Sequence, residues 1–153
     1  YGAGDAKIGS IVGGTARDGK RLKEKFLTNT PSLRDLRERV SVASRRGYIR
    51  GLDGRRVAVR SEHAALNTLL QSAGAIVMKK ALCLLDQYAT LWGLDYKFVG
   101  NIHDEIQTEV KESEVDTFGR LAVSCMEAAG QHFNLNCPLA GEYQIGDNWS
   151  ETH

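Results

Sequence analysis

The spacing of apolar residues changes character along the chain, and each change marks a predicted element. Over residues 5–30 apolar positions are sparse: Ile8, Ile11 and Val12, then Leu22, Phe26 and Leu27, in a polar, basic background. The spacing of Leu22 and Phe26 is helical, and Gly13-Gly14 divides the stretch into two short helices. Thr30-Pro31-Ser32 opens a third, since Thr30 or Ser32 can cap a helix carrying Leu33, Leu36, Arg37 and Val40. Arg45-Arg46-Gly47 ends it. Tyr48-Ile49-Arg50 and residues 55–60 then flank Gly51-Leu52-Asp53-Gly54, where Asp-Gly suits the tight turn of a β-hairpin.

Ser61 caps a long helix rich in Ala and Leu, from about Glu62 to about Leu91, and Gly93 closes it. Residues 96–110 place β-branched and apolar residues on both sides of His103-Asp104 and predict a second hairpin, whose register the pattern leaves open. Residues 113–132 carry Val115, Phe118, Leu121, Ala122, Cys125 and Met126 at helical spacing. The tail, residues 138–153, contains Tyr143, Ile145 and Trp149 and is expected to end in an edge strand. Helices, hairpin, long helix, hairpin, helix and strand make an α+β pattern.

Composition narrows this only a little. A chain of 153 residues, 42% hydrophobic and 25% charged, suits one soluble domain or a large piece of one. No uninterrupted apolar run approaches the roughly 18 residues that span a bilayer. The longest, residues 73–85, is broken by Lys79 and Lys80 and reads as a buried helix; there is no signal-peptide pattern. No membrane partner is expected. Cys83, Cys125 and Cys137 form no C-x-x-C pair, which points to idle thiols in a reducing, cytoplasmic compartment. In such a compartment the sequon Asn148-Trp149-Ser150 is accidental. The chain opens on Tyr1 rather than methionine, which suggests a processed, truncated or split polypeptide.

Charge changes the picture more. Residues 1–60 carry 15 basic and 6 acidic groups, a net of +9, and residues 61–153 carry 5 basic and 13 acidic groups, a net of −8. A basic half suits a polyanion, because neutralised phosphates release counterions. Two solvated faces of opposite sign would give the same totals, and charge alone leaves both readings open.

Two constellations carry candidate chemistry. On the long helix His63, Asn67 and Gln71 fall at i, i+4 and i+8, one stripe of an otherwise Ala/Leu surface. Gly74 and Ala75 follow on nearly the same stripe and leave room for something bulky. Neutral amides offer donors and acceptors to base edges in a minor groove, whereas a plain solvent face favours Lys and Glu. The other constellation is His103-Asp104-Glu105, between Ile102 and Ile106. Adjacent carboxylates at a hairpin tip repel one another unless a cation intervenes, and Mg²⁺ takes a few hard oxygen ligands. An ordinary polar turn would look the same in isolation. Gly13-Gly14 with Gly19-Lys20 lacks the spacing and the Ser or Thr of a phosphate-binding loop. No Ser or Cys sits in a recognisable nucleophile setting.

Taken in order, these pieces resemble the C-terminal part of family A DNA polymerases, in particular the replicative polymerases of short-tailed bacteriophages of the T-odd type. Tyr1-Gly2-Ala3-Gly4-Asp5 is similar to the segment after that family's fingers helix, and Gly51-Leu52-Asp53-Gly54-Arg55 to its palm hairpin. The run from His63 to Gly74 is similar to its minor-groove helix, residues 99–107 to its third polymerase motif, and Asn148-Trp149 onward to its terminus.

The resemblance implies a fingers remnant over residues 1–46, helical and basic, and a palm over 47–153. It implies that Asp104 is one of two catalytic aspartates holding Mg²⁺ ions, with Glu105 supporting the site and His103 shaping the turn near the primer end. Asn67 and Gln71 would contact the minor groove at the primer terminus, His63 the backbone, and Tyr1 and Gly2 would lie near the templating base. The implied partners are primer-template DNA, deoxynucleoside triphosphates and the N-terminal part of the same polymerase. The implied reaction is attack of the primer 3′-hydroxyl on a nucleotide α-phosphate with loss of pyrophosphate.

The motif that supplies the family's other metal-binding aspartate does not occur in these residues, nor does the fingers helix, a thumb or an exonuclease region. The isolated chain is therefore expected to be inactive without its missing half. A DNA-binding fragment without chemistry is the alternative reading, and a metal-dependent phosphohydrolase using Asp104 and Glu105 a weaker third.

Overall fold

The computed structural model describes residues 3–152, and these form six α-helices and two antiparallel hairpins. Tyr1 and Gly2, expected near the templating base, lie outside the described residues. The chain divides into two compact units, Tyr1–Ser72 and Ala73–His153.

In the first unit α1 (Asp5–Ile11) packs on α2 (Ala16–Asn29). The helices meet at glycines: a Cβ on Gly19 would stand 1.9 Å from the Asp5 carbonyl oxygen, and one on Gly9 2.0 Å from that of Thr15. At the start of α2 the Asp18 carboxylate accepts the Thr15 N–H at 2.9 Å and its hydroxyl at 2.8 Å. Those bonds, the backbone one foremost, hold the Asp18 carboxyl below its ordinary range. Thr30 ends α2 and begins α3 (Pro31–Ser44); Pro31 sits at the first helical position, where its missing N–H costs nothing.

Strands β1 (Tyr48–Arg50) and β2 (Arg56–Ala58) pair with Ile49 opposite Val57. Val40, Ile49 and Ala65 form the core of this unit, with Leu36, Ala43, Val57, Val59 and Leu69 packed around them. The long helix begins differently from expectation. Glu62–Ala64 is a 3-10 turn in which Ser61 Oγ accepts the Ala64 N–H, and α4 proper runs Ala65–Leu91.

The second unit contains most of α4, β3 (Tyr96–Ile102), β4 (Glu105–Val110), α5 (Val115–His132) and a terminal turn of helix, α6 (Trp149–Thr152). Gly93, at φ +68°, closes α4 in a Schellman motif: the Leu94 N–H bonds the Ala89 carbonyl and the Gly93 N–H that of Thr90, both at 3.0 Å. Leu85, Ala89, Phe118, Leu121 and Cys125 form the core, and Tyr96, Phe98, Ile106 and Val110 of the hairpin pack on it. Burial raises the Cys125 thiol above its ordinary range, as expected of an unreactive thiol.

The expected edge strand at the C-terminus does not form. Residues 138–148 make no ladder with any strand and lead into α6. By length and composition alone the helical stretch Glu62–Leu91 could cross a membrane. Lys79 and Lys80 lie near its middle, and Ile76, Val77, Met78, Ala81, Leu85 and Ala89 are buried along it.

Candidate active site and nucleic-acid interface

The acidic turn is built by the second hairpin. Ile102 pairs with Glu105, so the loop is the two residues His103 and Asp104. Two-residue loops require positive φ to match strand twist, and His103 supplies it at φ 54°, a conformation His tolerates better than most residues. Both loop residues are exposed.

Asp104 and Glu105, adjacent in sequence, therefore occupy different settings. Asp104 stands in the loop, and among the described residues nothing donates a hydrogen bond to it or pairs with it. Glu105 is the first residue of β4 and half-buried. Its Oε1 accepts the Trp149 indole N–H at 3.2 Å and a bond from Gln107 Nε2. Thr152 donates to Gln107 Oε1 at 3.3 Å. Sequence reasoning placed Trp149 in the tail and gave it no role; a contact across 44 positions leaves no local signal.

Among the described residues no three His, Cys, Asp or Glu side chains cluster tightly enough to enclose a metal ion. Asp104 offers one hard, uncommitted carboxylate, which fits a divalent cation that completes its shell with other oxygens. It does not fit a closed structural site, which needs all its ligands from protein.

In the first unit Asn67 and Gln71 lie one turn apart on α4, Gln71 exposed and Asn67 half-buried. His63 is exposed but belongs to the 3-10 turn, so it stands just before the regular helical stripe. Asn67 Oδ1 is shielded from solvent yet has no hydrogen-bond partner. Such an atom costs about 1–3 kcal/mol, and a donor brought by a ligand would recover it.

Six of the 15 basic residues of this unit lie on or around the first hairpin, at positions 45–60. Of the arginines between positions 45 and 60, only Arg55 has a carboxylate partner among the described residues, Asp53 at 2.6 Å. That bond holds the Asp53 carboxyl below its ordinary range. Arg46 and Arg56 lie 5.3 and 4.9 Å from the Tyr48 ring centroid, stacked by cation–π attraction rather than neutralised.

The profile of DNA polymerase family A matches residues 1–151, and the chain belongs to that family. The DNA-directed DNA polymerases of Enterobacteria phage T3 and Escherichia phage T7 are 42% and 41% identical over the whole chain, and that of Escherichia phage Phieco32 is 41% identical. The chain spans about a quarter of the length of these curated relatives. Among solved structures, the POL domain of Pol1 from M. smegmatis, in complex with DNA primer-template and dNTP, matches with a TM-score of 0.75 at 25% identity. That match covers 84% of this chain and 25% of the mycobacterial one. The α+β class and the family expected from the sequence are both borne out. Family A DNA polymerases use divalent metal ions.

Proposed function

We propose that this chain is the palm-bearing part of a replicative, template-directed DNA polymerase of phage type, acting on primer-template DNA and deoxynucleoside triphosphates. The observation that carries the reading is the uncommitted Asp104 carboxylate on the two-residue turn of β3–β4, in a chain matched from end to end by family A polymerases.

In this reading residues 1–46 are the end of the fingers and residues 47–153 the palm. Asp104 holds Mg²⁺ together with a second aspartate from the rest of the polypeptide, and Glu105 supports the turn from β4. His103 shapes the turn beside the primer end, Tyr1 and Gly2 approach the templating base, and His63 approaches the DNA backbone. When bound, the divalent ions polarise the α-phosphate and lower the cost of the charge that develops there. Asn67 and Gln71 present amides to minor-groove acceptors, which every correctly paired terminus displays in similar positions. The arginines without carboxylate partners, Arg45, Arg46, Arg50, Arg56 and Arg60, favour a polyanion over the alternative of a merely solvated basic face.

The test is primer extension by a chimera in which this chain replaces the matching quarter of the phage T7 polymerase. The chimera should extend primers. Its Asp104→Ala variant should lose at least about a thousandfold in incorporation rate, because metal-held charge stabilisation is worth several kcal/mol, while binding DNA within about threefold. Robust extension by the Asp104→Ala chimera would sink the assignment of Asp104. Extension by the 153 residues alone would sink the need for a second part. Template-independent, Mg²⁺-dependent hydrolysis of phosphate esters by the chain alone would favour a phosphohydrolase instead.

A further inference from the structure

The C-terminal tail is laid along α5 by contacts that run in order. Leu139 fills the space over Gly130, where a Cβ would lie 2.9 Å from its Cγ. Gly141 rests on Val123 and Met126, and the Tyr143 ring covers Gly119, where a Cβ would lie 2.3 Å from Cδ2. Tyr143 then donates its hydroxyl to Asp116 at 3.1 Å. As the tail advances from 139 to 143 its partners on α5 retreat from 130 to 116, so the two run antiparallel. Beyond Tyr143 the tail closes on itself: the Glu151 carboxylate accepts the Asp147 N–H at 2.9 Å and the Asn148 side-chain amide at 2.6 Å.

That closed turn is α6, and it meets β4 at two points. Trp149 donates to Glu105 and Thr152 to Gln107, which itself donates to Glu105. Two donors, one two residues along β4 and one from the far C-terminal turn, thus converge on one oxygen of the carboxylate next to Asp104. Trp149 is 52% exposed, so burial of its ring is a minor reason for its place. One directed contact it makes is the N–H to a carboxylate, and charge-assisted bonds of this kind are the stronger class.

We propose that Trp149 is a positioning residue for the polymerase reaction: the tail straps α6 against β4 so that the indole N–H, with Gln107, fixes the Glu105 carboxylate beside the Asp104 turn. The proposal rests on the polymerase reading above. A carboxylate at the start of a strand has several rotamers, and two donors on one oxygen select among them. Loss of the indole bond lets Glu105 leave that orientation without disturbing the hairpin ladder.

The experiment is a double-mutant cycle in the T7-based chimera, with Trp149→Phe removing the N–H and keeping most of the ring, and Glu105→Ala removing its acceptor. Trp149→Phe should slow single-nucleotide incorporation about 3- to 10-fold, as expected for one hydrogen bond of orientation, at nearly unchanged KM for the nucleotide. In the Glu105→Ala background the same change should slow it no further. An unaffected rate in Trp149→Phe, or a loss that multiplies with Glu105→Ala, would overturn the proposal.

The contact itself is read in the 153-residue chain by nitrogen-15 NMR. The Trp149 indole N–H signal, assigned by its disappearance in Trp149→Phe, should shift in Glu105→Ala, and a signal that stays put would overturn the proposal as well. A wild-type chimera that does not extend primers counts against the polymerase reading, and removes with it the role given to Trp149. A shifted indole signal in that case still records the Trp149–Glu105 bond, so the two failures are told apart.

Discussion

Replacing Gly119 by alanine should destabilise the protein, yet the same replacement should stabilise it once Tyr143 is gone. Gly119 lies in the second turn of α5 with the Tyr143 ring against its Cα. A methyl group there would stand 2.3 Å from Cδ2, 2.5 Å from Cγ and 2.6 Å from Cε2. Three such distances cannot be relieved by small shifts, so either α5 or the ring must move away. Tyr143 is 38% exposed and sits on a tail outside any strand, so the ring moves. Its departure forfeits the partial burial of an aromatic side chain, about 1–1.5 kcal/mol at half the full value. It also forfeits the hydroxyl bond to Asp116, about 0.5–1.5 kcal/mol. Against these stands the helix preference of alanine over glycine, about 1 kcal/mol in favour of the variant.

The balance is a net loss of roughly 1 kcal/mol for Gly119→Ala. In a Tyr143→Ala background both costs have already been incurred, and only the helix term remains. Gly119→Ala should then stabilise by about 0.5–1 kcal/mol. The coupling between the two sites is thus about 2 kcal/mol, far above the few tenths found for independent sites. Urea denaturation of the four proteins, followed by far-UV circular dichroism, measures it. The same sign for Gly119→Ala in both backgrounds, or additivity within about 0.5 kcal/mol, would refute the packing argument and with it the path of the tail along α5.

Other outcomes follow from single contacts. Leu85, 1% exposed at the centre of the second unit, should cost about 2–5 kcal/mol as alanine; a urea midpoint close to wild type would contradict the assigned core. Gln71→Ala in the chimera should reduce extension from matched termini about 10-fold, one hydrogen bond's worth or slightly more, and narrow the gap between matched and mismatched termini. An unchanged ratio of the two rates would remove Gln71 from the DNA interface. On the alkaline side, burial raises the Tyr96 hydroxyl above its ordinary 10.0, and the bond to Asp116 raises that of Tyr143. Groups whose folded value is raised contribute stability that is complete below about pH 10 and is lost as pH climbs through the folded value. Melting temperatures should therefore fall above about pH 10, and Tyr143→Phe should shallow that fall; an identical slope in the variant would deny the bond to Asp116.

What could be read in advance depended on how local its cause is. The first hairpin was legible because Asp53-Gly54 specifies a turn, and α4 because 27 residues with no proline and a single glycine, Gly74, leave a helix few rivals. The register of β3–β4 was not legible. Phe98 faces Thr108 and Gly100 faces Gln107, so Val99 is an extra residue that shifts the alternation by one step within the strand. The edge strand expected at the tail failed for a related reason. Of the residues behind that expectation, Tyr143, Ile145 and Trp149, the first fills the space above a glycine of α5 and the last opens α6. A glycine in a helix reads as a weak helix position, and nothing in its own sequence neighbourhood announces that an aromatic ring from 24 residues away will need the space.

The same distinction alters the argument for a metal at the acidic turn. In the sequence Asp104 and Glu105 are neighbours, and their mutual repulsion was the reason to expect a cation between them. In the fold the repulsion on Glu105 is already met, because Trp149 and Gln107 bring hydrogen-bond donors to it. The pair as such therefore no longer requires a cation. What remains is narrower and stronger. Asp104 alone stands at the loop, exposed and without a protein partner among the described residues, on a backbone that His103 bends into positive φ to form that loop. A strained turn that presents one carboxylate to solvent is a poor device for stability, since an exposed polar residue with ordinary φ would cost less. It is a good device for presenting a ligand whose partners lie in another part of the polypeptide.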